Sequence, residues 1–351
     1  MLLEGLQLPL TTPFYPDGRL NLRKLERNVA CYSKTPAAGL AVLSEYGEPS
    51  MLSDEETRQT LQTAIEAAAA EKVVLAGVSR DSVLATLALI DHAAALAYDA
   101  VLVSPPSFVH AADKARQTKE LLTYFQSVAD RSTIPVILCS TAGSLSVEIV
   151  AELAAHPKII GLAERSPTSE RIALLKQATA DVKHDTTVTS VFAAVTGRML
   201  ARQQASSAGT MVSADTLTGG GAALAVSPSG TALKTRTRTV GFQILAGGTA
   251  TMLDALLAGA VGAMPAFAAC APQACYEVLA AWKDGDRGLA EEKQARLKDA
   301  AKRLEEKSGV AAIKFGCDLN GYFGGIPRLP LLPPSGEDRT EIEMLMHGLR
   351  N

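Results

Sequence analysis

The sequence predicts an α/β fold of the (β/α)8 barrel type, and three observations support this prediction. First, short apolar segments alternate with amphipathic segments along most of the 351 residues. Second, the apolar segments are continuous rather than alternating, which is typical of parallel strands that are buried on both faces. Third, about eight strand–helix pairs occur, the number that closes such a barrel. An open, doubly wound sheet is the alternative, but no GxGxxG turn follows the first strand.

The predicted barrel strands are short apolar segments that cover residues 5–14, 39–43, 73–78, 100–103, 135–139, 159–163, 242–246 and 261–266. The segments between them place apolar residues at helical spacing, and they cover residues 21–33, 54–70, 82–97, 113–131, 146–156 and 168–179. Ser53, with Glu56 three positions later, has the pattern of a capping box and indicates a helix N-terminus.

The chain is predicted to form a barrel over residues 1–270, followed by a helical extension over residues 271–351 that packs on the barrel. The extension includes a charged helix at 287–307, which is more helix than a minimal barrel needs. The proline-rich tail at 328–334 cannot continue as regular helix, because proline lacks the N–H group, and it is expected to lie extended against the body.

One long segment interrupts the strand–helix alternation. Residues 180–240, between the sixth helix and the seventh strand, are rich in Thr, Ser, Gly and Ala. They include an apolar helical stretch at 191–200 and a possible hairpin formed by 210–214 and 222–226. Because this insertion joins a helix to a strand, its ends should emerge at the bottom of the barrel, away from the catalytic rim. It could make oligomer or packing contacts, be disordered, or reach the active site.

The composition favours small-molecule partners or other copies of the chain. Hydrophobic residues make up 47%, which is enough for a large core, and the net charge of −3 gives no electrostatic reason to expect nucleic acid. The five cysteines are scattered without a CxxC pair, so neither a zinc site nor a disulfide framework is predicted. Free thiols in a large α/β chain fit a reducing, cytoplasmic location.

No membrane association is predicted from the sequence. The first residues lack a basic region followed by a long apolar run, so we expect no signal peptide. The longest apolar run, at 255–271, is dominated by Ala and Gly and is interrupted by Pro265, which favours a barrel helix and strand over a membrane span.

Several segments, in this order, resemble the dihydrodipicolinate synthase / N-acetylneuraminate lyase family. They are Leu10-Thr11-Thr12-Pro13-Phe14, Leu43-Ser44-Glu45-Tyr46-Gly47-Glu48-Pro49, Leu75-Ala76-Gly77-Val78, Val103-Ser104-Pro105-Pro106, Pro135-Val136-Ile137-Leu138 and Arg328-Leu329-Pro330-Leu331-Leu332-Pro333. The resemblance covers the chain except for the insertion. It implies a barrel lyase that acts on a small oxo-acid through a Schiff base on a strand lysine, and a homo-dimer or homo-tetramer.

The sequence departs from the family at the residues that carry this chemistry. The position of the Schiff-base lysine, in strand six, is Ala163, and the proton-relay tyrosine that ends strand five is Cys139. The two threonines of the loop after strand two are Glu45 and Tyr46, and the tyrosine after strand four is Phe108. The arginine that the family has soon after strand five is also absent. Each change removes one chemical capacity of the family site.

No other lysine is predicted to replace the missing amine. A strand rises roughly 3.3 Å per residue, so Lys158 should lie about 16 Å below Ala163, at the opposite end of the barrel. Lys72 precedes its strand in the same way. The remaining candidates lie at a helix start, in the post-barrel helix and in the insertion: Lys114, Lys314 and Lys234. Class I aldolase chemistry, which needs a desolvated amine nucleophile, is therefore not expected.

Polar residues at the carboxyl ends of the predicted strands are the candidate site, because barrel enzymes build their sites there. The catalytic candidates are Glu45, Tyr46, Glu164 and Cys139, and the ligand-binding candidates are Thr11, Thr12, Ser104, Ser140, Arg165, Gly247, Gly248 and Thr249. Glu45 and Glu164 together would give an acid and a base. No cofactor is predicted, although the same carboxylates could hold a divalent cation such as magnesium or manganese. Alternatively, Glu164 pairs with an arginine such as Arg165 or Arg80.

Two other candidates have equally plain alternatives. Cys139 could be a nucleophile with His110 as its base, or a small buried apolar side chain. The Gly247–Thr249 turn could offer backbone N–H groups to a carboxylate or phosphate, or simply connect a strand to a helix tightly. Glu48, at the end of the loop after strand two, is predicted to bond loop backbone rather than to take part in catalysis.

Two functions are consistent with these residues. The first is a lyase-type enzyme that acts on a small oxo- or hydroxy-acid without a Schiff base. The second is a catalytically silent relative that binds a small ligand or serves assembly, because a fold does not determine function.

Overall fold

The computed structural model describes residues 1–107, 113–141, 143–165, 167–208 and 233–349. In chain order the strands are β1 (Gly5–Pro9), β2 (Gly39–Val42), β3 (Val73–Gly77), β4 (Ala100–Val103), β5 (Val136–Ser140), β6 (Ile159–Glu164), β7 (Lys183–Thr189), β8 (Thr235–Gly241), β9 (Gln243–Ala246) and β10 (Gly262–Ala263). The helices are α1 (Leu22–Tyr32), α2 (Asp54–Ala67), α3 (Val83–Ala95), α4 (Lys114–Arg131), α5 (Val147–Ala154), α6 (Ser169–Ala178), α7 (Gly197–Ala208), α8 (Met252–Leu257), α9 (Pro272–Lys283), α10 (Arg287–Ala301), α11 (Gly309–Leu319) and α12 (Gly336–Met346).

A closed parallel barrel forms the centre of the molecule, with the strand order β1-β10-β9-β6-β5-β4-β3-β2. The predicted (β/α)8 fold is therefore confirmed. Each predicted strand segment contains a barrel strand, but β1 stops at Pro9 and β10 has only two residues. The predicted capping box is present as well: Ser53 Oγ accepts from the Glu56 amide at 3.2 Å, and the Ser53 amide donates to the Glu56 carboxylate at 3.0 Å.

Two apolar clusters fill the barrel and the space around it. A small buried cluster lies among the strands and includes Ala41, Leu75, Leu102, Ala163 and Leu245. A much larger cluster joins the strands to the surrounding helices and to the C-terminal extension. This division follows from strand geometry, because successive side chains point to opposite faces, one toward the barrel axis and one toward the helices.

The segment between α6 and β9 forms an antiparallel β7–β8 pair outside the barrel. It packs against the bottom, as its connection type predicts: Val188 and Val240 contact Leu2, which precedes β1. Thr196 also donates a hydrogen bond to the carbonyl of Ala70, just before β3. The β7–β8 pairing was not predicted, because its strands are far apart in sequence and largely polar.

The helix of this inserted segment differs from its prediction. Residues 191–200 were predicted to be helical, but α7 begins at Gly197 and continues to Ala208. The predicted hairpin at 210–214 and 222–226 lies outside the described residues.

Helices α9 to α12 form the extension, and a π-helical segment, Lys302–Ser308, joins α10 to α11. The tail that follows α11 is anchored by two hydrogen bonds between Asn28 of α1 and the backbone of Phe323, at 2.7 and 2.9 Å. The tail is not helical at 328–334, as predicted, and Arg328 fastens it to the body, although Leu329 and Leu332 are exposed. Within the described residues, no helix has the length and apolar character needed to cross a membrane.

Candidate active site

A cavity of about 730 Å³ opens at the carboxyl ends of the barrel strands. We call it the rim cavity. Its polar lining comes from the strand ends, from the loops that follow them and from α4: Ser44, Glu45, Tyr46, Ser50, Ser79, Arg80, Asp81, Ser104, Ser107, Gln117, Ser140, Thr141, Ser144 and Arg165. Its volume lies within the range of roughly 300–1,000 Å³ that is usual for ligand sites.

Ala163 lies on the floor of the rim cavity. It pairs with Cys139 of β5 on one side and with Leu245 of β9 on the other, and it is 5% exposed. Residue 163 therefore presents only a methyl group to the cavity.

Every lysine of the sequence lies within the described residues, and none of them lines the rim cavity. Lys72 is at the bottom, where its ammonium group donates to the carbonyls of Thr35 and Ala37 at 2.7 and 2.8 Å. Lys314 is fully buried, but outside the cavity, in an ion pair with Glu48. These positions leave the cavity without an amine nucleophile from this chain.

Glu45, Tyr46 and Arg165 form the charged part of the rim. A short 3-10 turn, Glu45–Gly47, follows β2 and places both of its side chains next to Arg165, which follows β6. Arg165 forms an ion pair with Glu45, and its Nη2 donates to the Tyr46 hydroxyl at 3.0 Å. The guanidinium group also lies 5.1 Å from the centre of the Tyr46 ring, within the range of a cation–π contact.

Burial raises the pKa of Tyr46 to about 12, with Arg165 acting in the opposite direction. Tyr46 is therefore a neutral phenol at physiological pH, and its hydroxyl can donate a hydrogen bond. Tyr46 and Arg165 together present hydrogen-bond donors to the cavity, since a guanidinium group has five N–H donors. Such a pair suits a carboxylate or a developing oxyanion.

Glu164 does not belong to this group, which corrects the predicted Glu45–Glu164 pair. Its side chain is fully buried, and its Oε2 accepts from Arg171 Nε at 2.8 Å. Because side chains alternate along β6, Ala163 faces the cavity while Glu164 faces the helices outside the barrel. The alternative prediction, a structural pair with an arginine, describes Glu164 better, although the partner is Arg171 rather than Arg165 or Arg80. No group of three or more potential metal ligands is found among the described side chains.

Cys139 lines the cavity as predicted, but its environment does not favour a nucleophile. Burial raises the pKa of its thiol to about 12, so the thiol stays protonated at neutral pH. A nucleophilic cysteine needs the thiolate form. The predicted base, His110, and Phe108 both lie outside the described residues.

The Gly247–Thr249 turn is only partly available to a ligand. Gly247 lines the cavity, and a Cβ atom at this position would lie only 2.6 Å from the Cα atom of Arg165, so a side chain would collide with that backbone. The Thr249 amide donates to Glu305 at 3.1 Å, and the Phe267 amide donates to the same carboxylate at 2.7 Å. Glu305 thus takes the place that was predicted for a ligand anion. Sequence reasoning missed Glu305, because it comes from the π-helical segment of the extension.

The other predicted ligand-binding residues divide between the cavity and the core. Ser104 and Ser140 line the cavity. Thr12 instead donates from its hydroxyl to the carbonyl of Gly47 at 2.6 Å, which fixes the turn that carries Glu45. Thr11 is buried and, like Thr12, Gly248 and Thr249, is not part of the cavity wall.

Two charged residues after β3 were also missed. Arg80 and Asp81 line the cavity, and Asp81 accepts from the amide and the hydroxyl of Ser107 at 2.7 and 2.6 Å. Arg80 is paired with Asp54 at the start of α2. Their place directly after a barrel strand was the available signal.

The sequence matches the dihydrodipicolinate synthetase family over residues 2–204 and 229–348. The chain belongs to this family. The resemblance drawn from the sequence is thereby confirmed. The internal residues without a match, 205–228, lie in the inserted segment and begin within α7.

Relatives within the dihydrodipicolinate synthetase family match along nearly the whole chain or about half of it. The 4-hydroxy-tetrahydrodipicolinate synthase of Acidiphilium cryptum (strain JF-5) is 27% identical over 350 residues, which cover 99% of this chain and 98% of the relative. The enzyme of the same name from Xanthomonas campestris pv. campestris is 34% identical over 185 residues, which cover 52% of this chain and 60% of the relative.

Solved structures share the fold at lower identity. A dihydrodipicolinate synthetase-like protein from Pseudomonas aeruginosa superposes with a TM-score of 0.76 at 20% identity, covering 99% of this chain and 100% of the other. A prophage protein of the same family from E. coli K12, solved in complex with pyruvate, gives a TM-score of 0.74 at 22% identity, covering 99% of both chains. At these identities the likeness establishes the barrel fold.

Proposed function

We propose that the rim cavity binds a small oxo- or hydroxy-acid without forming an imine, and that the protein carries out lyase-type chemistry on it. One observation carries this proposal: Ala163, which the sequence resemblance places where the family has its Schiff-base lysine, lines the cavity floor, and no lysine of the chain lines the cavity. Membership of the family, and the pyruvate bound to one of its structural neighbours, support an oxo-acid as the class of ligand.

The donors at the rim support an acid as the ligand. The Arg165 guanidinium uses only some of its five N–H groups on Glu45 and Tyr46 and has others to offer to a carboxylate. Ser104 adds a hydroxyl group to the same wall.

In the proposed reaction, the bound substrate is a 4-hydroxy-2-oxo-acid, and Glu45 accepts the proton of its 4-hydroxyl group. The carbon–carbon bond beside the carbinol carbon then breaks, a carbonyl forms there, and the electron pair moves to the oxo-acid fragment as an enolate. Arg165 and Tyr46 donate hydrogen bonds to the enolate oxygen, where negative charge develops. The protonated Glu45 returns its proton to the enolate carbon. In the family this charge is taken up by an imine; here hydrogen bonds would have to stabilise it.

The first test is reductive trapping. With pyruvate and borohydride we expect no mass increase for the natural protein, since no amine is in place. The Ala163→Lys variant restores an amine at a desolvated position and should gain the mass of a reduced pyruvate adduct. The Ala163→Ser variant is the matched control and should stay unmodified. An adduct on the natural protein would overturn the proposal.

The second test measures ligand binding. A thermal-shift screen of small oxo- and hydroxy-acids should find acids that raise the unfolding temperature, because a ligand that binds only the native state stabilises it. Arg165→Gln should weaken binding of these acids by about ten-fold to a hundred-fold, the value of a charge-assisted hydrogen bond. Arg116→Gln, an exposed arginine on α4, is the control and should bind as the natural protein does.

A catalytically silent binding protein is the second candidate. Two observations favour it: Glu45 is already engaged by Arg165, and the pKa of Cys139 is raised to about 12 by burial. Proton–deuterium exchange at the carbon next to the carbonyl of a bound oxo-acid, followed by NMR, separates the two candidates. Exchange that is lost in Glu45→Gln supports the enzyme, whereas binding without exchange supports the silent protein.

We further propose that the chain acts in the cytoplasm as a homo-dimer or homo-tetramer, with a barrel over 1–270 and the extension over 271–351. Family membership supports this assembly, although one structural neighbour is a dihydrodipicolinate synthase variant described as monomeric. Sedimentation velocity of the purified protein tests it, and a monomer at micromolar concentration would contradict it.

A further inference from the structure

The rim cavity is polar at its mouth and apolar at its floor. The lining residues that belong to the strands, and therefore lie deepest, are Pro9, Gly77, Leu102, Cys139, Ser140 and Ala163, with Met264 just beyond the last strand. Arg165 and Glu45 lie in the connections beyond the strand ends, and so do Arg80 and Asp81.

Among the described residues, the floor residues carry no cationic side chain that could pair with a charged group. Leu102 and Ala163 belong to the buried apolar cluster inside the barrel, and Cys139 and Met264 pack against it. The backbone of β5 and β6 is engaged in strand pairing at this level, with Cys139 opposite Ala163. A carboxylate placed here would lose its hydration without compensation, which is unfavourable. The acid group of a ligand therefore belongs at the mouth, beside Arg165.

The cavity is also much larger than pyruvate requires. Its volume of about 730 Å³ is in the range that holds drug-sized ligands. Its side walls are apolar as well, since Leu52, Pro105, Pro106 and Leu121 line it. A pyruvate-sized acid bound at Arg165 would leave this apolar surface in contact with water.

We infer that the cavity prefers amphipathic acids, bound with the carboxylate at Arg165 and an apolar chain directed down to Leu102, Ala163 and Met264. The methyl group of Ala163 makes room for the chain at the position where a lysine would occupy the floor. This inference rests on the proposed function, and it specifies the substrate class: straight-chain or branched oxo- or hydroxy-acids rather than pyruvate itself.

The test is a calorimetric titration of the full-length protein with pyruvate and its straight-chain homologues up to oxo-octanoate. Each added methylene should strengthen binding about four-fold, equivalent to about 0.8 kcal/mol, until the chain reaches the floor. The heat-capacity change of binding should become more negative along the series, because apolar surface is buried.

Two variants test where the apolar chain of the ligand binds. Ala163→Leu fills the floor and should weaken the binding of the longest acids by about ten-fold or more, while the affinity for pyruvate should change little. Leu84→Ala, at an exposed position on α3, is the control and should leave the series unchanged. If Ala163→Leu does not fold, as judged by its thermal unfolding, the chain-length series and the heat-capacity trend of the natural protein still decide the matter.

The outcomes separate the two proposals. If pyruvate binds and its homologues bind no more tightly, the inference that an apolar ligand chain occupies the floor is wrong. The proposed binding of a small acid then stands. If no acid of any length binds, both are wrong. If affinity rises with the length of the acid, and Ala163→Leu weakens the binding of the long acids alone, both proposals are supported.

Discussion

Lys314 and Glu48 form an ion pair that solvent does not reach: their side chains are 0% and 1% exposed. Lys314 belongs to α11 in the extension, whereas Glu48 ends the turn that carries Glu45 and Tyr46 into the rim cavity. The backbone of Arg328 also donates to Glu48, at 2.9 Å. The extension thus fixes one wall of the candidate site, although it contributes no side chain to the cavity lining.

This relationship predicts a strong coupling between the two side chains. Lys314→Met should lower the free energy of unfolding by about 3–5 kcal/mol, because it leaves a carboxylate buried without its cation. The double variant Lys314→Met/Glu48→Gln should lose clearly less than the sum of the single changes. Urea unfolding followed by circular dichroism measures both values. Lys298→Met, at an exposed position on α10, is the control, and additive losses in the double variant would contradict the coupling.

A second prediction concerns acid stability and the contact of Arg328 with Glu56. The hydrogen bonds from Arg328 lower the pKa of Glu56 from 4.5 to about 2, against the opposing effect of burial. A carboxyl with a lower pKa in the folded state stabilises the fold above its unfolded pKa and loses that contribution as the pH falls. Unfolding free energy should therefore decrease between pH 4.5 and about 2, and Glu56→Gln should remove part of this decrease.

The control for this experiment is Glu152→Gln, an exposed glutamate on α5. It should leave the pH profile as in the natural protein. A Glu56→Gln profile with the same slope would show that the Arg328 contact does not hold the Glu56 carboxyl ionised.

A third prediction separates the two arginines near the end of β6. Arg171→Met should lower the free energy of unfolding by about 3 kcal/mol, since it leaves the fully buried Glu164 carboxylate unpaired. Arg165→Gln should change stability by about 1 kcal/mol or less, because its partner Glu45 is 56% exposed. Both are measured by urea unfolding. Equal losses for the two variants would mean that the cavity arginine is structural too.

A fourth prediction tests the thiol of Cys139. With its pKa raised to about 12 by burial, Cys139 should resist alkylation by iodoacetamide at neutral pH although it lines the cavity. Its rate of modification should still be rising above pH 10. Peptide mass spectrometry measures the rate, with the partly exposed Cys31 as the internal reference. Rapid modification at pH 7 would restore the nucleophile hypothesis.

The sequence predicted those features of the site that depend on neighbouring residues, but not the contacts between residues that are distant in the chain. The resemblance to the family placed Ala163 in the sixth strand, and the turn carrying Glu45 and Tyr46 could be read from its place after β2. The partner of Glu164 could not, because which face of β6 points to the cavity depends on how the barrel closes. Several arginines were available in sequence, and only the packing of α6 brings Arg171 to that carboxylate.

By itself, the sequence determined the order of the eight barrel strands, the barrel they form, and the alanine at position 163. Hydrophobic periodicity and the alternation of side chains along a strand are local properties, and they carry this information directly. Only the tertiary structure decided that Glu305 accepts a hydrogen bond from the Thr249 amide. It also decided that Glu48 pairs with Lys314 and accepts a hydrogen bond from the Arg328 amide. These contacts join the extension to loops far away in the chain. They form only when α9 to α12 pack against the barrel, which no local pattern encodes.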